Sequence, residues 1–125
     1  MTENEIGTIV VDSSFEIYSY IAPGLLESAY QKCLAHELGN RGITVLEEVD
    51  LPLRYKGIKL ECGYRIDLLA NKKVIVEVKT VDTLLDIHKA QLLTYLKLTG
   101  CKLGYLLNFK STGMKYGIKR TVNKL

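Results

Sequence analysis

The sequence has few of the residues that build disulfide frameworks or zinc sites. Its three cysteines, Cys33, Cys62 and Cys101, show no C-x-x-C spacing, which argues against both kinds of site. We expect three buried thiols in a reducing environment. There are two histidines, and the run H-E-L-G-N that begins at His36 is not the H-E-x-x-H zinc signature. We therefore interpret His36 as a structural or surface residue.

Long apolar runs are also missing. No segment approaches the ~20 residues that a membrane-spanning helix needs, so we expect no membrane partner. The first residues, M-T-E-N-E-I-G-T-I-V-V-D, are acidic before a short apolar run, unlike a signal peptide. We expect a cytoplasmic protein.

The composition that is present fits one soluble domain over residues 1–125. Apolar residues make up 47% and charged residues 25% of the chain, as in ordinary globular proteins. A net charge of +3 suits a polyanionic partner without requiring one. The basic residues between Lys110 and Lys124 would add to any phosphate-binding surface.

Apolar periodicity predicts a chain that mixes helices and strands. We expect a helix over residues 3–20, weakened at Ser13 and Ser14, an interruption at Ala22-Pro23-Gly24, and a second helix from Leu25 to residues 39–42. A meander of antiparallel strands should fill residues 44–80, with Pro52 at an edge or bulge. A helix over residues 84–98, N-capped by Asp82 or Thr83, should then lead to a buried strand at 102–109 and a short strand at 117–122. Parallel pairing of strands 74–79 and 102–109 would make a β-α-β crossover.

The most informative stretch is a predicted hairpin over residues 63–80, G-Y-R-I-D-L-L-A-N-K-K-V-I-V-E-V-K-T. Valines alternate with Ile75, Glu77 and Lys79, so the carboxylate and the ammonium share one strand face. A strand this apolar should be buried, and unpaired buried charges cost several kcal/mol each. The stretch therefore needs a cation, an opposite charge or a polar ligand.

The length of the hairpin loop decides whether Asp67 joins the same site. With Asn71, Lys72 and Lys73 as a three-residue loop, Asp67 lies opposite Glu77, and this is the register we predict. A two-residue loop would send Asp67 to the other face. Two facing carboxylates favour a divalent metal, and the structural alternative is a salt bridge from Lys79.

Two helices offer further polar groups. Glu27 lies at the edge of the apolar stripe of the second helix, where it could reach the sheet or interact with the helix dipole. Glu37 lies deeper in that arc, so helix geometry alone does not select Glu27. On the later helix, His88, Gln91 and Tyr95 form one line, flanked by Leu84, Ile87 and Leu98. This line predicts either a structural polar network or a surface that faces phosphates or nucleotides.

The order of these residues resembles the PD-(D/E)XK nuclease superfamily. Glu27 on a helix, Asp67 on a strand, Glu77-Val78-Lys79 on the next strand and Gln91-x-x-x-Tyr95 on the following helix match its pattern, and the last element is similar to that of the RecB-like branch. The run Gly24-Leu25-Leu26-Glu27-Ser28-Ala29-Tyr30 matches the name motif of the GxxExxY family, and residues 63–68 and 91–96 look like its other signatures. Ile66 stands where the superfamily has proline.

This resemblance implies a restriction-endonuclease-like α/β core, with a central mixed β-sheet flanked by helices. It implies that Asp67, Glu77, the carbonyl of Val78 and Glu27 bind Mg²⁺ or Mn²⁺. Lys79 would orient or deprotonate the attacking water and offset charge on phosphorus. Gln91, Tyr95 and, on the same line, His88 would position the substrate.

We therefore predict a small metal-dependent nuclease that prefers DNA to RNA. The first alternative is a non-catalytic nucleic-acid-binding or regulatory module with the same fold. The second is a structural domain whose acidic pair bonds to Lys79. The intact set Glu27, Asp67, Glu77 and Lys79 favours the enzyme, and the small size of the chain suggests a homodimer.

Overall fold

The computed structural model describes residues 1–21 and 23–125, and it contains three α-helices. The predicted interruption at residues 22–24 includes Ala22, which lies outside the described residues. Helix α1 (Glu3–Tyr20) begins at a capping box, because the Thr2 hydroxyl accepts from the Glu5 N–H and the Glu5 carboxylate accepts from the Thr2 N–H. It runs unbroken through Ser13 and Ser14, both of which are buried. Helices α2 (Glu27–Asn40) and α3 (Asp86–Thr99) follow.

Within the described residues, seven strands form two sheets. In chain order they are β1 (Val45–Asp50), β2 (Leu53–Tyr55), β3 (Ile58–Leu60), β4 (Arg65–Ala70), β5 (Val74–Lys79), β6 (Leu103–Asn108) and β7 (Ile118–Val122). The main sheet has the order β1-β4-β5-β6-β7, in which β5 and β6 are parallel and the other neighbours are antiparallel. The parallel pair, joined through α3, confirms the predicted β-α-β unit. A 3₁₀ turn, Met114–Tyr116, precedes β7.

Helices cover both faces of this sheet. Apolar residues of α1 and α2, such as Val10 and Leu34, pack with Val76 and Leu107 on one face. On the other face, α3 contributes Leu92, Tyr95 and Leu96, which pack with Ile75 and Leu106. A side chain at Gly104 of β6 would lie 2.9 Å from Leu92 Cδ1, so glycine there permits the close approach of α3. This arrangement is the predicted α/β fold of restriction-endonuclease type.

The hairpin between β4 and β5 has the predicted three-residue loop. Ala70 pairs with Val74 and Leu68 with Val76, which leaves Asn71, Lys72 and Lys73 as the connection. Asn71 and Lys72 both adopt positive φ, 50° and 57°, the combination that a type I′ turn requires. Extending this register by one residue places Asp67 opposite Glu77.

Some expectations about strands and cysteines were wrong. The strands do not form a simple meander, because β2 and β3 leave the main sheet as a separate hairpin between β1 and β4. Pro52 lies in the break between β1 and β2. Cys62 is exposed, since it follows that peripheral hairpin, while Cys33 and Cys101 are half-buried.

Two expectations about α3 were also wrong. The helix begins two residues later than predicted, and its N-cap is Leu85 rather than Asp82 or Thr83. Ile87 and Leu98, predicted to flank the polar line on the core side, are both largely exposed. Leu92 and Leu96 fill the core side instead, together with Tyr95 of the predicted line. Within the described ranges, no helix is both long and apolar enough to cross a membrane.

Candidate active site

Asp67 on β4 and Glu77 on β5 each accept a hydrogen bond from the backbone of the other strand. The Asp67 N–H donates to Glu77 Oε2 at 3.2 Å, and the Val78 N–H donates to Asp67 Oδ2 at 2.8 Å. These bonds begin where the pairing of β4 with β5 stops, at Leu68 and Val76. At the point where the strands separate, the two carboxylates therefore accept the N–H groups that backbone carbonyls accept elsewhere in the sheet.

Burial makes a negative charge on Glu77 unfavourable. The residue is 4% exposed. Desolvation first, then the hydrogen bond to the Asp67 side chain and the charge of Asp67, raise the pKa of Glu77 to about 9. The Asp67 N–H and the charge of Lys79 act in the opposite direction. Near neutral pH the acidic pair therefore retains a proton unless a cation replaces it.

Lys79 lies two residues after Glu77 on the same strand and is half-buried. The ion pairs between side chains of the described residues join Lys32 to Glu47, Arg41 to Glu37, Arg65 to Asp50 and Lys110 to Asp82, and none of them includes Lys79. A salt bridge from Lys79 to the acidic pair, the structural alternative, is thus not formed. The ammonium remains close enough to lower the pKa of Glu77.

Asn108, which the sequence reasoning missed, fixes the chain that follows Lys79. Its side chain is buried, accepts from the Val81 N–H at 3.1 Å and donates to the Val81 carbonyl at 2.9 Å. The Phe109 N–H also donates to the Lys79 carbonyl at 3.0 Å. The one sequence signal was an amide near the end of the otherwise apolar segment L-G-Y-L-L-N-F.

Gln31 and Glu48 were also missed. Gln31 on α2 is 7% exposed, and its Nε2 donates to Glu48 Oε1 at 2.9 Å and, at 3.4 Å, to the Asp67 carbonyl. Glu48 has a φ of 52° within β1, and the register on either side places it opposite Asp67. Gln31 lies one helical turn after Glu27, which was the available signal.

Glu27 is the first residue of α2 and is exposed. One turn later on its face, Gln31 reaches Asp67, so this end of the helix borders the acidic pair. Tyr30 buries its ring against Phe109 in a stack at 4.7 Å, and its hydroxyl accepts from the Leu25 N–H at 3.2 Å.

Across the part of the chain that the structure describes, no three acidic, histidine or cysteine side chains converge in a way that could hold a metal. Asp67 and Glu77 lie together, but Glu27 does not join them as a third metal ligand.

Helix α3 places Tyr95 near both carboxylates. The residue is 6% exposed. Its pKa is raised by burial first and then by the charges of Glu77, Tyr64 and Asp67. Gln91 lies one turn earlier, is half-buried and lines the same groove as Tyr95.

His88 has a structural role at the start of α3. Its Nδ1 accepts from the Leu85 N–H at 2.9 Å. A neutral His88 therefore carries its proton on Nε2, which remains a possible donor.

The basic residues of the C-terminal segment are spread over two edges of the sheet. Because β5 and β6 are parallel, Lys110 follows the same edge as Lys79, but it pairs with Asp82 at 2.5 Å. Arg120 lies within β7 and donates to Asn4 Oδ1. Lys124 follows the opposite edge, because Val122 pairs with the first residue of β6. Only the first part of this segment lies on the Lys79 edge.

Comparison with known proteins gives one match. Residues 4–121 match the family model described as PD-(D/E)XK nuclease superfamily. No curated protein and no solved structure matches the chain. The matched region contains every element from α2 to β6, all of α1 except its first residue and all of β7 except its last.

Proposed function

We propose that this chain, which belongs to the PD-(D/E)XK nuclease superfamily, is a metal-dependent nuclease that hydrolyses phosphodiester bonds, with DNA as its preferred substrate. The observation that carries the proposal is the pairing of Asp67 with a buried Glu77 whose pKa is raised to about 9. Carboxylates with strongly raised pKa values are characteristic of functional sites. Lys79, which forms no ion pair with a described side chain, lies on the same strand.

The donor atoms suit Mg²⁺ or Mn²⁺. Asp67, Glu77 and the carbonyl of Val78 supply hard oxygen ligands, and Glu27 at the adjacent helix end would contribute directly or through water. A cation would offset the negative charge whose burial raises the pKa of Glu77. A bound divalent ion would polarise the scissile phosphoryl group and stabilise the charge that develops on it.

The remaining side chains would act on water and substrate. Lys79 would orient or deprotonate the attacking water and stabilise negative charge on the phosphorus oxygens. Tyr95 and Gln91, on the helix that covers this face, would position the substrate backbone. The Nε2–H of His88 would donate to a phosphate oxygen.

We further assign the chain to the GxxExxY branch. Its name motif, residues 24–30, has a physical basis in this fold, because Tyr30 closes the start of α2 and stacks on Phe109 next to the end of β6. Glu27 then lies on the turn that borders Asp67. We also propose a cytoplasmic location and a homodimer, which would supply binding surface that one small chain lacks.

A second candidate function is a nucleic-acid-binding or regulatory module without catalysis. One observation favours it: the described residues hold no group of three side chains that could hold a metal. On this view the fold and its basic residues would bind nucleic acid without cutting it.

Metal titration combined with cleavage assays tests the proposal. Mg²⁺ and Mn²⁺ would be titrated calorimetrically into wild type, Asp67→Ala and the control Asp50→Ala, whose carboxylate is largely exposed. Single-stranded and double-stranded DNA and RNA would then be tested for cleavage. We expect metal binding and DNA cleavage by wild type and Asp50→Ala, and loss of both in Asp67→Ala.

Unchanged metal affinity in Asp67→Ala would show that the site is wrong. Metal binding without cleavage of any nucleic acid by wild type would favour the non-catalytic module.

A further inference from the structure

A groove lies between helix α3 and the chain at Leu51, Leu53 and Tyr64. It has a volume of ≈ 330 Å³, and both Tyr64 and Tyr95 line it. Their rings meet edge to face with centroids 6.4 Å apart. Tyr95 connects the groove to the candidate active site, because the charges of Glu77 and Asp67 act on it and raise its pKa after the larger effect of burial. Tyr64 lies three residues before Asp67 in the chain.

The walls of the groove are uncharged. Its lining includes Ile87 and Leu98, with Gln91 and Thr94 as hydrogen-bonding groups, and among the described residues no carboxylate, lysine or arginine lines it. The neighbouring cavity on the Tyr64 side differs, because Asp50, Lys59 and Glu61 line it. A phosphate would find no cation in the groove, whereas a flat, uncharged ring would find apolar contacts and amide or hydroxyl partners.

Tyr64 presents a fixed aromatic surface to this groove. It is 47% exposed, yet its carbonyl accepts from the Leu51 N–H at 2.9 Å and its ring rests against the buried Tyr95. Tyr64 also lies three residues before Asp67 on the same segment. A base stacked on Tyr64 could therefore belong to the same nucleic-acid strand as a phosphate bound at Asp67 and Glu77.

We propose that this groove binds an unpaired nucleobase of the substrate strand, stacked on Tyr64, so that single-stranded or locally unpaired nucleic acid is bound in preference to duplex. The proposal rests on the proposed nuclease function and specifies its substrate class. A paired base is covered by its neighbours and its partner, so it must leave the duplex to enter a groove of this kind. The size also fits, since ≈ 330 Å³ lies at the lower end of the volumes of small-ligand pockets.

The test compares binding in a Lys79→Met background with Mg²⁺, chosen to prevent cleavage while leaving the acidic pair intact. Fluorescence anisotropy would measure affinity for a 12-nucleotide single strand of DNA, its RNA equivalent, a DNA strand with abasic sites and a 12-base-pair duplex. Tyr64→Ala, Tyr64→Phe and Tyr20→Ala would be compared. Tyr20, 86% exposed at the end of α1, is the matched control because α1 packs on the opposite face of the sheet.

We expect Tyr64→Ala to weaken single-strand binding between about 5-fold and about 100-fold, because one stacked base contributes that much. Tyr64→Phe and Tyr20→Ala should bind as the background protein does. Abasic sites should weaken binding to the background protein by a similar factor but have little effect on Tyr64→Ala. If Tyr64→Ala does not fold, judged by circular dichroism, the abasic comparison decides the question without it.

Three results would overturn the proposal. If wild type cleaves nucleic acid but normal and abasic strands bind equally, the groove assignment is wrong and the nuclease function stands. If wild type neither binds nor cleaves any strand with Mg²⁺ or Mn²⁺, both proposals fail. If the protein is a dimer that Tyr64→Ala converts to a monomer, a second copy of the chain occupies the groove.

Discussion

Asp67 Oδ2 accepts the Val78 N–H at 2.8 Å, and Glu77 Oε2 accepts the Asp67 N–H at 3.2 Å, so each carboxylate bonds to the backbone of the opposite strand. Such bonds satisfy backbone donors that the diverging strands would otherwise leave without partners. The acidic pair is therefore part of the sheet as well as of the candidate site. A change in the charge of the pair should affect stability and metal binding together.

The first prediction is that, without metal, the protein loses stability as pH rises from 4.5 to 9. Glu77 has a pKa of about 9 in the folded chain, against an ordinary value of 4.5 that applies when the chain is unfolded. Between these pH values the folded state therefore binds one more proton than the unfolded state. The linkage relation then makes the free energy of unfolding fall by up to about 1.4 kcal/mol per pH unit. Urea unfolding with a chelator at pH 6 and pH 8.5 measures this slope.

Glu77→Gln is the matched control for that slope, because its neutral amide imitates the protonated acid. It should lack the Glu77 contribution and be more stable than wild type at pH 8.5. Equal slopes for the two proteins would contradict the assignment of the proton to this pair.

Local pattern was enough to predict the hairpin and the crossover. Asn71 and Lys72 are polar residues between two apolar strands, and the three-residue loop that they suggested is confirmed. Gln31 was missed because nothing in the sequence pattern of an amphipathic helix indicates that one of its amide side chains is buried. Only the tertiary packing shows that it reaches Glu48 and Asp67.

Helix α3 was harder to predict for a related reason. Periodicity treats Ile87 and Leu98 as core residues, but the sheet beneath α3 is already filled by Leu92 and Leu96. Its N-terminus was misplaced: the expected cap was Asp82 or Thr83, but the N-cap is Leu85, and Asp82 pairs instead with Lys110. His88 accepts the Leu85 N–H in its place.

A second prediction concerns metal binding and pH. If a divalent ion binds at Asp67 and Glu77, it must displace the proton that the raised pKa keeps on the pair. The apparent affinity for Mg²⁺ should then increase with pH, by up to about tenfold per unit below pH 9. Calorimetry in two buffers with different ionisation enthalpies would show the released proton. An affinity that does not change between pH 6.5 and 8.5 would contradict this linkage.

A third prediction concerns Gln31. Removing its amide in Gln31→Ala leaves Glu48 and the Asp67 carbonyl without this donor, which should lower the free energy of unfolding by about 1–3 kcal/mol. Because Asp67 would also be held less firmly, metal affinity should fall, an effect that a purely structural role would not produce. Lys32→Ala is the control: Lys32 lies next in sequence, but its ion pair with Glu47 is largely exposed and should contribute at most about 1 kcal/mol. Equal metal affinity in Gln31→Ala and wild type would limit Gln31 to folding.

The last prediction separates the role of Lys79 from that of the fold. Lys79 forms no ion pair with a described side chain, so Lys79→Met should retain stability within about 1 kcal/mol of wild type. Its cleavage rate should fall by at least about 10²-fold, because an ammonium that orients water and offsets phosphate charge has that effect. Lys79→Arg keeps the charge, but a guanidinium cannot act as a base. Partial activity in Lys79→Arg would therefore indicate charge stabilisation, and activity as low as that of Lys79→Met would indicate proton transfer. Lys89 is an exposed lysine on α3, so the control Lys89→Met should cleave at the wild-type rate. Full activity in Lys79→Met would exclude Lys79 from the reaction.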